Sequence, residues 1–188
     1  MSARSAGDPA ATTADIEVIF TKQAIDERLT QLAAEIAALR LDDLIIVAVL
    51  KGSFVFAADL IRALHAEGVE PEVDFITLSS YRKSTVSTGT VDILRDVSLD
   101  VGGRHVLLVD DVLDSGRTLA YAKDLLAARG ATSIRTCVLL DKEVDRAVQL
   151  EADLTAFRCP NMFVVGYGMD LAHRYRELPY VGRLRTSN

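Results

Sequence analysis

The chain has 188 residues, 49% of them hydrophobic and 26% charged, with a net charge of -6. That supplies one sizeable core and not two, and a mean hydropathy of +0.20 excludes both a disordered polymer and a membrane protein by composition. A pI near 5.1 leaves no basic surface for broad contact with nucleic acid, so an anionic ligand must be met locally by backbone dipoles, placed cations or a metal, magnesium being the natural choice.

Residues 1–14, Met1 to Ala14, are rich in Ala, Ser and Thr without apolar periodicity and read as a mobile tail. Residues 15–188 then form one domain. From Lys22 onward Ile25, Leu29, Leu32, Ile36 and Leu39 alternate steps of four and three, which places them on one helix face. Leu44 to Leu50 is a continuous apolar run of strand length, as a parallel strand covered on both faces requires. It stops at Lys51-Gly52, after which Phe54, Ala57, Leu60, Ile61 and Leu64 keep helical spacing up to a stop at Gly68.

Val73 to Leu78 reads as a strand, and Ser79 to Thr90, dense in Ser, Thr, Arg and Lys, as a mobile polar loop. Val106 to Val109 is predicted as a short buried strand, Gly116 to Arg129 as a helix ended by Gly130, and Ser133 to Leu140 as the next strand. This alternation predicts an open, largely parallel α/β sheet flanked by helices, with no internal repeat. Two cysteines, Cys137 and Cys159, make neither a disulfide framework nor a short-spaced metal pair, which fits a reducing cytoplasm. No stretch near the start is long enough for a signal peptide, and Leu44–Leu50 falls far short of the roughly 20 residues of a spanning helix.

The segment with the most chemistry is Val106–Leu119, reading Val-Leu-Leu-Val-Asp-Asp-Val-Leu-Asp-Ser-Gly-Arg-Thr-Leu. Strand carboxyl ends line the ligand crevice of a parallel sheet, so Asp110 and Asp111 belong at its floor. Asp114, Ser115, Gly116, Arg117, Thr118 and Leu119 then open a helix whose free N–H groups and dipole favour a monophosphate. Gly116 permits close approach, Ser115 and Thr118 add hydroxyl donors, and Arg117 balances charge from the rim. An acidic strand end or a helix-starting Asp-Ser-Gly is ordinary alone; their union within ten residues is what points to a site.

These residues resemble the signature of the type I phosphoribosyltransferases, an apolar strand, two acids and an Asp-Ser/Thr-Gly-x-Thr turn. The resemblance extends from about Asp15 to Leu184 and is closest to the bacterial members of the branch that uses hypoxanthine and guanine. Its further motifs stand at Leu50–Ser53, Ser80-Tyr81, Leu140–Lys142 and Phe163–Asp170. It implies a domain with a small hood, built from the C-terminal segment and part of the N-terminal region. It also implies transfer of the ribose 5-phosphate of 5-phosphoribosyl 1-pyrophosphate to a 6-oxopurine, with release of pyrophosphate.

By the same resemblance, Asp110 and Asp111 hold the ribose hydroxyls directly or through Mg2+, and Asp114 lies near purine N7 as general base. Lys142 donates to the 6-oxo group, Phe163 stacks on the base, and the backbone of Val164 meets its Watson-Crick edge. Asp170 is a further magnesium contact beside the base, and Leu50, Lys51, Gly52 and Arg176 form the pyrophosphate site, with a cis Leu50–Lys51 peptide. Ser80 and Tyr81 belong to a lid that closes over the reacting centre. Homodimer or homotetramer assembly is implied as well. Two departures, Asp110-Asp111 where many vertebrate-type relatives have Glu-Asp and Ser53 where they have Gly, leave the reaction class intact but leave open the preference between hypoxanthine and guanine. Xanthine is the least expected substrate.

Rival readings fit less well. A phosphoacceptor receiver domain ends its first strand in an Asp pair, whereas two strands and two helices precede Asp110. The RNA-binding attenuators of the same superfamily usually lack an acid at the Asp114 position, and Asp114, Lys142, Phe163 and the low pI favour a purine enzyme. No Gly-x-x-x-x-Gly-Lys-Ser/Thr motif occurs, and Gly166-Tyr-Gly168 lacks the third glycine of a dinucleotide fingerprint.

Overall fold

Thr21 ends the first strand, β1 (Ile16–Phe20), and its hydroxyl accepts from the amide of Ala24 at 3.2 Å, capping helix α1 (Lys22–Ala38). The chain continues as β2 (Leu44–Leu50), α2 (Phe54–Ala66), β3 (Glu72–Ser80), β4 (Val91–Arg95), β5 (His105–Leu113) and α3 (Arg117–Ala128). It closes with β6 (Ser133–Glu143), β7 (Leu154–Pro160), β8 (Val164–Val165) and β9 (Val181–Leu184). This computed structural model describes residues 16–80 and 91–185. The expected tail, Met1 to Ala14, and Tyr81 of the expected lid lie outside the described residues, as does the side chain of Ser80.

Six strands form the main sheet in the order β4-β3-β2-β5-β6-β7, parallel except for β4. The apolar run of β2 is divided between two cores, as a strand covered on both faces must be. Leu44, Ile46 and Ala48 pack with Ile25, Leu32, Phe56 and Leu60 of α1 and α2, while Ile45, Val47 and Val49 pack with Leu119, Ala122 and Leu126 of α3. The second core is closed at its edge by Asp74 of β3, whose carboxylate accepts from the amides of Phe75, Ser98 and Leu99 at 2.6–2.9 Å. Burial pushes that carboxyl up, but the bonds from Leu99, Phe75 and Ser98 outweigh it and hold it below the usual range.

The hood is a separate antiparallel sheet, β1-β9-β8, with Ile16, Val165, Tyr175 and Leu178 buried together beneath it. It joins the start of the described chain to its end, as the resemblance implies.

Several local expectations shift. Phe54 is 44% exposed and Phe56 fully buried, because Phe56, Ala57, Leu60 and Leu64 form the core stripe and Phe54 opens α2 to one side of it. Leu39 caps α1 from outside and is 40% exposed. The strand expected at Val106–Val109 runs on through the acidic pair to Leu113, since Asp110 and Val112 keep their pairing with Val138 and Leu140 of β6. Helix α3 begins at Arg117, with Gly116 as its cap. Ser79 and Ser80 belong to β3, and β4, β7 and the strands of the hood lack the apolar runs by which the longer strands are legible.

Candidate active site

The strand order reverses around β2: the chain passes from β2 to β3 on one side, then returns through β4 to place β5 on the other. Such a switch point opens a crevice beyond the carboxyl ends of the two strands. Here it is a cleft of ≈ 220 Å³, walled by Leu50 at the end of β2 with Lys51 and Gly52 beyond it, and by Asp110 to Leu113 at the end of β5 with Asp114 to Gly116, Thr118 and Leu119 beyond it.

Asp110 is 6% exposed, and burial first, then the adjacent charge of Asp111, push its carboxyl well above the usual carboxylate range. Each acid accepts a backbone amide one residue on, Asp110 from Asp111 and Asp111 from Val112, both at 2.9 Å. Two crowded carboxylates at the floor of a cleft are short of positive charge. Among the described residues no group of three or more His, Cys, Asp or Glu could hold a metal by itself. Magnesium keeps several oxygen ligands from substrate and water and needs only one or two carboxylates from the protein, a demand that Asp110 and Asp111 would meet. Asp170, expected as a further contact, is not among the residues that wall this cleft. Its carboxylate is taken by Arg176 at 2.6 Å and by the amide of His173 at 2.7 Å.

The turn that follows Asp114 is shaped by glycine. Gly116 sits at φ +77, and a Cβ there would lie 2.7 Å from the carbonyl oxygen of Val148, so only glycine fits. No side chain caps α3, and Ala120 donates to the Gly116 carbonyl at 2.9 Å, which leaves the amides of Arg117, Thr118 and Leu119 in the first turn, ahead of the first intrahelical bond. Arg117 is exposed and is not among the cleft walls, consistent with a place at the rim.

On the opposite wall the Leu50–Lys51 peptide is cis, as expected. Gly52 is pressed against Asp111, whose Oδ2 would be 1.7 Å from a Cβ at that position. Behind it lies Gly168, at φ +99, where a Cβ would meet the Gly52 carbonyl oxygen at 2.3 Å. Arg176 donates to the Gly168 carbonyl at 2.5 Å and pairs with Asp170, so the arginine is tied to the same arm that touches the Gly52 turn.

Lys142, near the end of β6, is 11% exposed at its side chain and donates to Asp114 Oδ2 at 3.2 Å. The pair joins an acceptor that lines the cleft to a donor that lines a second hollow of ≈ 310 Å³. Val164 is buried in the hood sheet and Phe163 is 56% exposed beside it. Phe163 does not line the acidic cleft. It faces a separate hollow of ≈ 650 Å³ with Met162 and Arg183, because the hood is a sheet of its own.

Three contributors escape a reading of the sequence. Arg146 donates to Asp141 and to the carbonyls of Lys142 and Leu150, at 3.0 and 2.8 Å, bracing the loop after β6. That loop carries Val148, whose amide donates to the Ser115 carbonyl at 3.2 Å and whose carbonyl packs on Gly116. Tyr167 of the hood reaches Asp59 of α2. Arg146 and Val148 lie in no periodic or turn-forming context that would single them out, and Tyr167, although inside the Phe163–Asp170 motif, carries no local sign of a partner on α2.

The phosphoribosyl transferase domain family matches residues 16–172. The hypoxanthine-guanine phosphoribosyltransferase of Bacillus subtilis is 42% identical over 175 residues, covering 92% of this chain and 96% of its own. In Listeria innocua the similar region, 42% identical and covering 90% of this chain, is 26% of a longer protein named bifunctional TilS/HprT. Among solved structures, a Staphylococcus aureus hypoxanthine phosphoribosyltransferase superposes with a TM-score of 0.86 at 36% identity, over 93% of this chain and 96% of that one.

Proposed function

The chain belongs to the phosphoribosyltransferase family, and from that premise we infer that it is a purine salvage transferase, moving the 5-phosphoribosyl group of 5-phosphoribosyl 1-pyrophosphate to hypoxanthine or guanine. The observation that carries the base assignment is the Lys142–Asp114 pair beside an uncapped helix turn. A 6-oxopurine protonated at N7 presents an acceptor and a donor on adjacent atoms, which this pair complements. The reaction forms the bond from purine N9 to ribose C1′, breaks the bond from C1′ to pyrophosphate, and passes the N7 proton to Asp114.

Positive charge grows on the sugar as pyrophosphate departs. Asp110 and Asp111, on the cleft floor, hold the ribose hydroxyls and face that charge. The amides from Ser115 to Leu119 take the 5-phosphate, while Lys51, Gly52 and Arg176 take the pyrophosphate, with Leu50 shaping the turn. Asp110 or Asp111 would hold magnesium together with the substrate, and the ion would neutralise charge on the leaving group. Phe163 and Val164 serve the base from the hood, and Ser80 and Tyr81 the lid. No described helix is long and apolar enough to cross a membrane.

Steady-state assays with hypoxanthine, guanine, xanthine, adenine and uracil, each with magnesium and with excess EDTA, test this reading. Turnover is expected only with the oxopurines, weakest with xanthine, and a loss of roughly 10²-fold or more without the metal. Activity on uracil, or indifference to EDTA, would contradict it. A gel shift with pyrimidine-operon leader RNA is expected to show no binding. Assembly as a homodimer or homotetramer, part of the same proposal, is read by size-exclusion chromatography.

Lys142→Gln tests the base assignment separately. A carboxamide either donates to an oxo group or accepts from an amino group, so hypoxanthine kcat/KM is expected to fall by roughly 10²-fold and its margin over adenine to narrow at least about tenfold. Unchanged base selectivity in competition assays would remove Lys142 from this role.

A further inference from the structure

The arm from Gly166 to Arg176 carries left-handed backbone at Gly166, Tyr167, Gly168, Ala172, His173 and Tyr175. Non-glycine residues stay in that region only where their surroundings hold them there. At Tyr167, with φ +49, the hold is specific. Its ring is 4% exposed, its amide donates to the Leu178 carbonyl at 2.8 Å, and its hydroxyl donates to Asp59 Oδ2 at 2.7 Å.

Asp59 lies on the helix that follows the Gly52 turn, and Arg62 pairs with its other oxygen. The next residue after Tyr167 is the one that touches that turn, since a Cβ at Gly168 would meet the Gly52 carbonyl and Val55 Cβ at 2.3 and 3.5 Å. The amide of Gly168 donates to the Arg176 carbonyl at 3.0 Å and its own carbonyl accepts from the Arg176 guanidinium. One hydroxyl therefore tethers the hood arm to α2 at the residue beside the contact between the two pyrophosphate elements. Val164 and Val165 are held differently, by pairing with Arg183 and Gly182 of β9.

We propose that the Tyr167–Asp59 hydrogen bond is a latch that positions Arg176 and Gly168 against the Gly52 turn, making Tyr167 a positioning residue for pyrophosphate rather than for the base. The proposal rests on assigning Gly52 and Arg176 to pyrophosphate. It separates two roles of one hood: the arm after Gly166 serves the leaving group through α2, and the strand before it serves the base through β9.

Tyr167→Phe in the full-length enzyme removes the hydroxyl and keeps the ring. KM for 5-phosphoribosyl 1-pyrophosphate and the inhibition constant of pyrophosphate are each expected to rise about tenfold, as for loss of a hydrogen bond to a charged acceptor, with KM for hypoxanthine within about twofold. Asp59→Leu should reproduce this, Asp59→Asn should restore most of it because an oxygen acceptor remains, and Tyr167→Phe with Asp59→Leu should be no worse than either alone. A lowered melting temperature with both pyrophosphate readouts unchanged would make the bond merely structural and overturn the latch, as would equal losses for both substrates. Arg176→Gln separates the two levels. If it weakens pyrophosphate while Tyr167→Phe does not, only the latch falls; if neither does, the assignment of this site falls and the latch with it.

Discussion

Asp114→Asn is expected to lower kcat by roughly 10²–10⁴-fold while leaving the affinity for 5-phosphoribosyl 1-pyrophosphate within about threefold. Asn keeps the shape of the side chain and can still accept from Lys142, which lies 3.2 Å away in the wild type, but it cannot take a proton from purine N7. The proposed phosphate cup next to it would be made of backbone amides at the start of α3, which the substitution leaves in place. Steady-state kinetics together with calorimetric titration of the sugar diphosphate measure both quantities. Equal losses in turnover and affinity would mean that Asp114 holds the phosphate rather than the proton.

A second large effect is expected at Gly52, for a reason that is purely spatial. A Cβ there would stand 1.7 Å from Oδ2 and 2.5 Å from Cγ of Asp111, far inside contact distance. The turn cannot retreat, because Gly168 is already packed on the Gly52 carbonyl from behind. Gly52→Ala must therefore drive the Asp111 carboxylate from its place. We expect kcat/KM for 5-phosphoribosyl 1-pyrophosphate to drop by roughly 10²–10³-fold, the scale seen when a transition-state contact is removed. Gly103→Ala is the matched control: its φ is +72, but a Cβ there meets nothing within 4 Å, so it tests left-handed strain without collision. Kinetics near the wild type for Gly52→Ala would show that Asp111 has another productive position.

The reach of local patterns explains which parts of this site were legible early. The acidic pair and the turn after it lie on consecutive residues, so strand termination, glycine conformation and helix-start donors all act within the span from Val106 to Leu119. Periodicity located α1 and α2 within a residue or two, yet assigned Phe54 to the core in place of Phe56, because a first-turn residue is not bound to the stripe that follows. The strand through Asp110 was cut short for a related reason. Carboxylates look like an ending, and only pairing with β6 shows the ladder continuing beneath them.

By itself the amino-acid order determined the α/β class, the doubly covered β2 and the glycine turn at Gly116, and it singled out the residues proposed to meet a ribose phosphate. Those are matters of periodicity and of backbone freedom at single positions, and they need no partner far along the chain. Tertiary structure alone decided that Lys142 meets Asp114 across 28 positions and that Tyr167 reaches Asp59 across 108. It also decided that Gly52 is hemmed between Asp111 and Gly168, that Asp170 turns to Arg176, and that Phe163 faces a hollow outside the acidic cleft. The reason lies in the sheet: the order β3-β2-β5-β6 and the separate hood bring distant strand ends together, and hydrogen bonds and steric contacts act only over a few ångströms once that has happened.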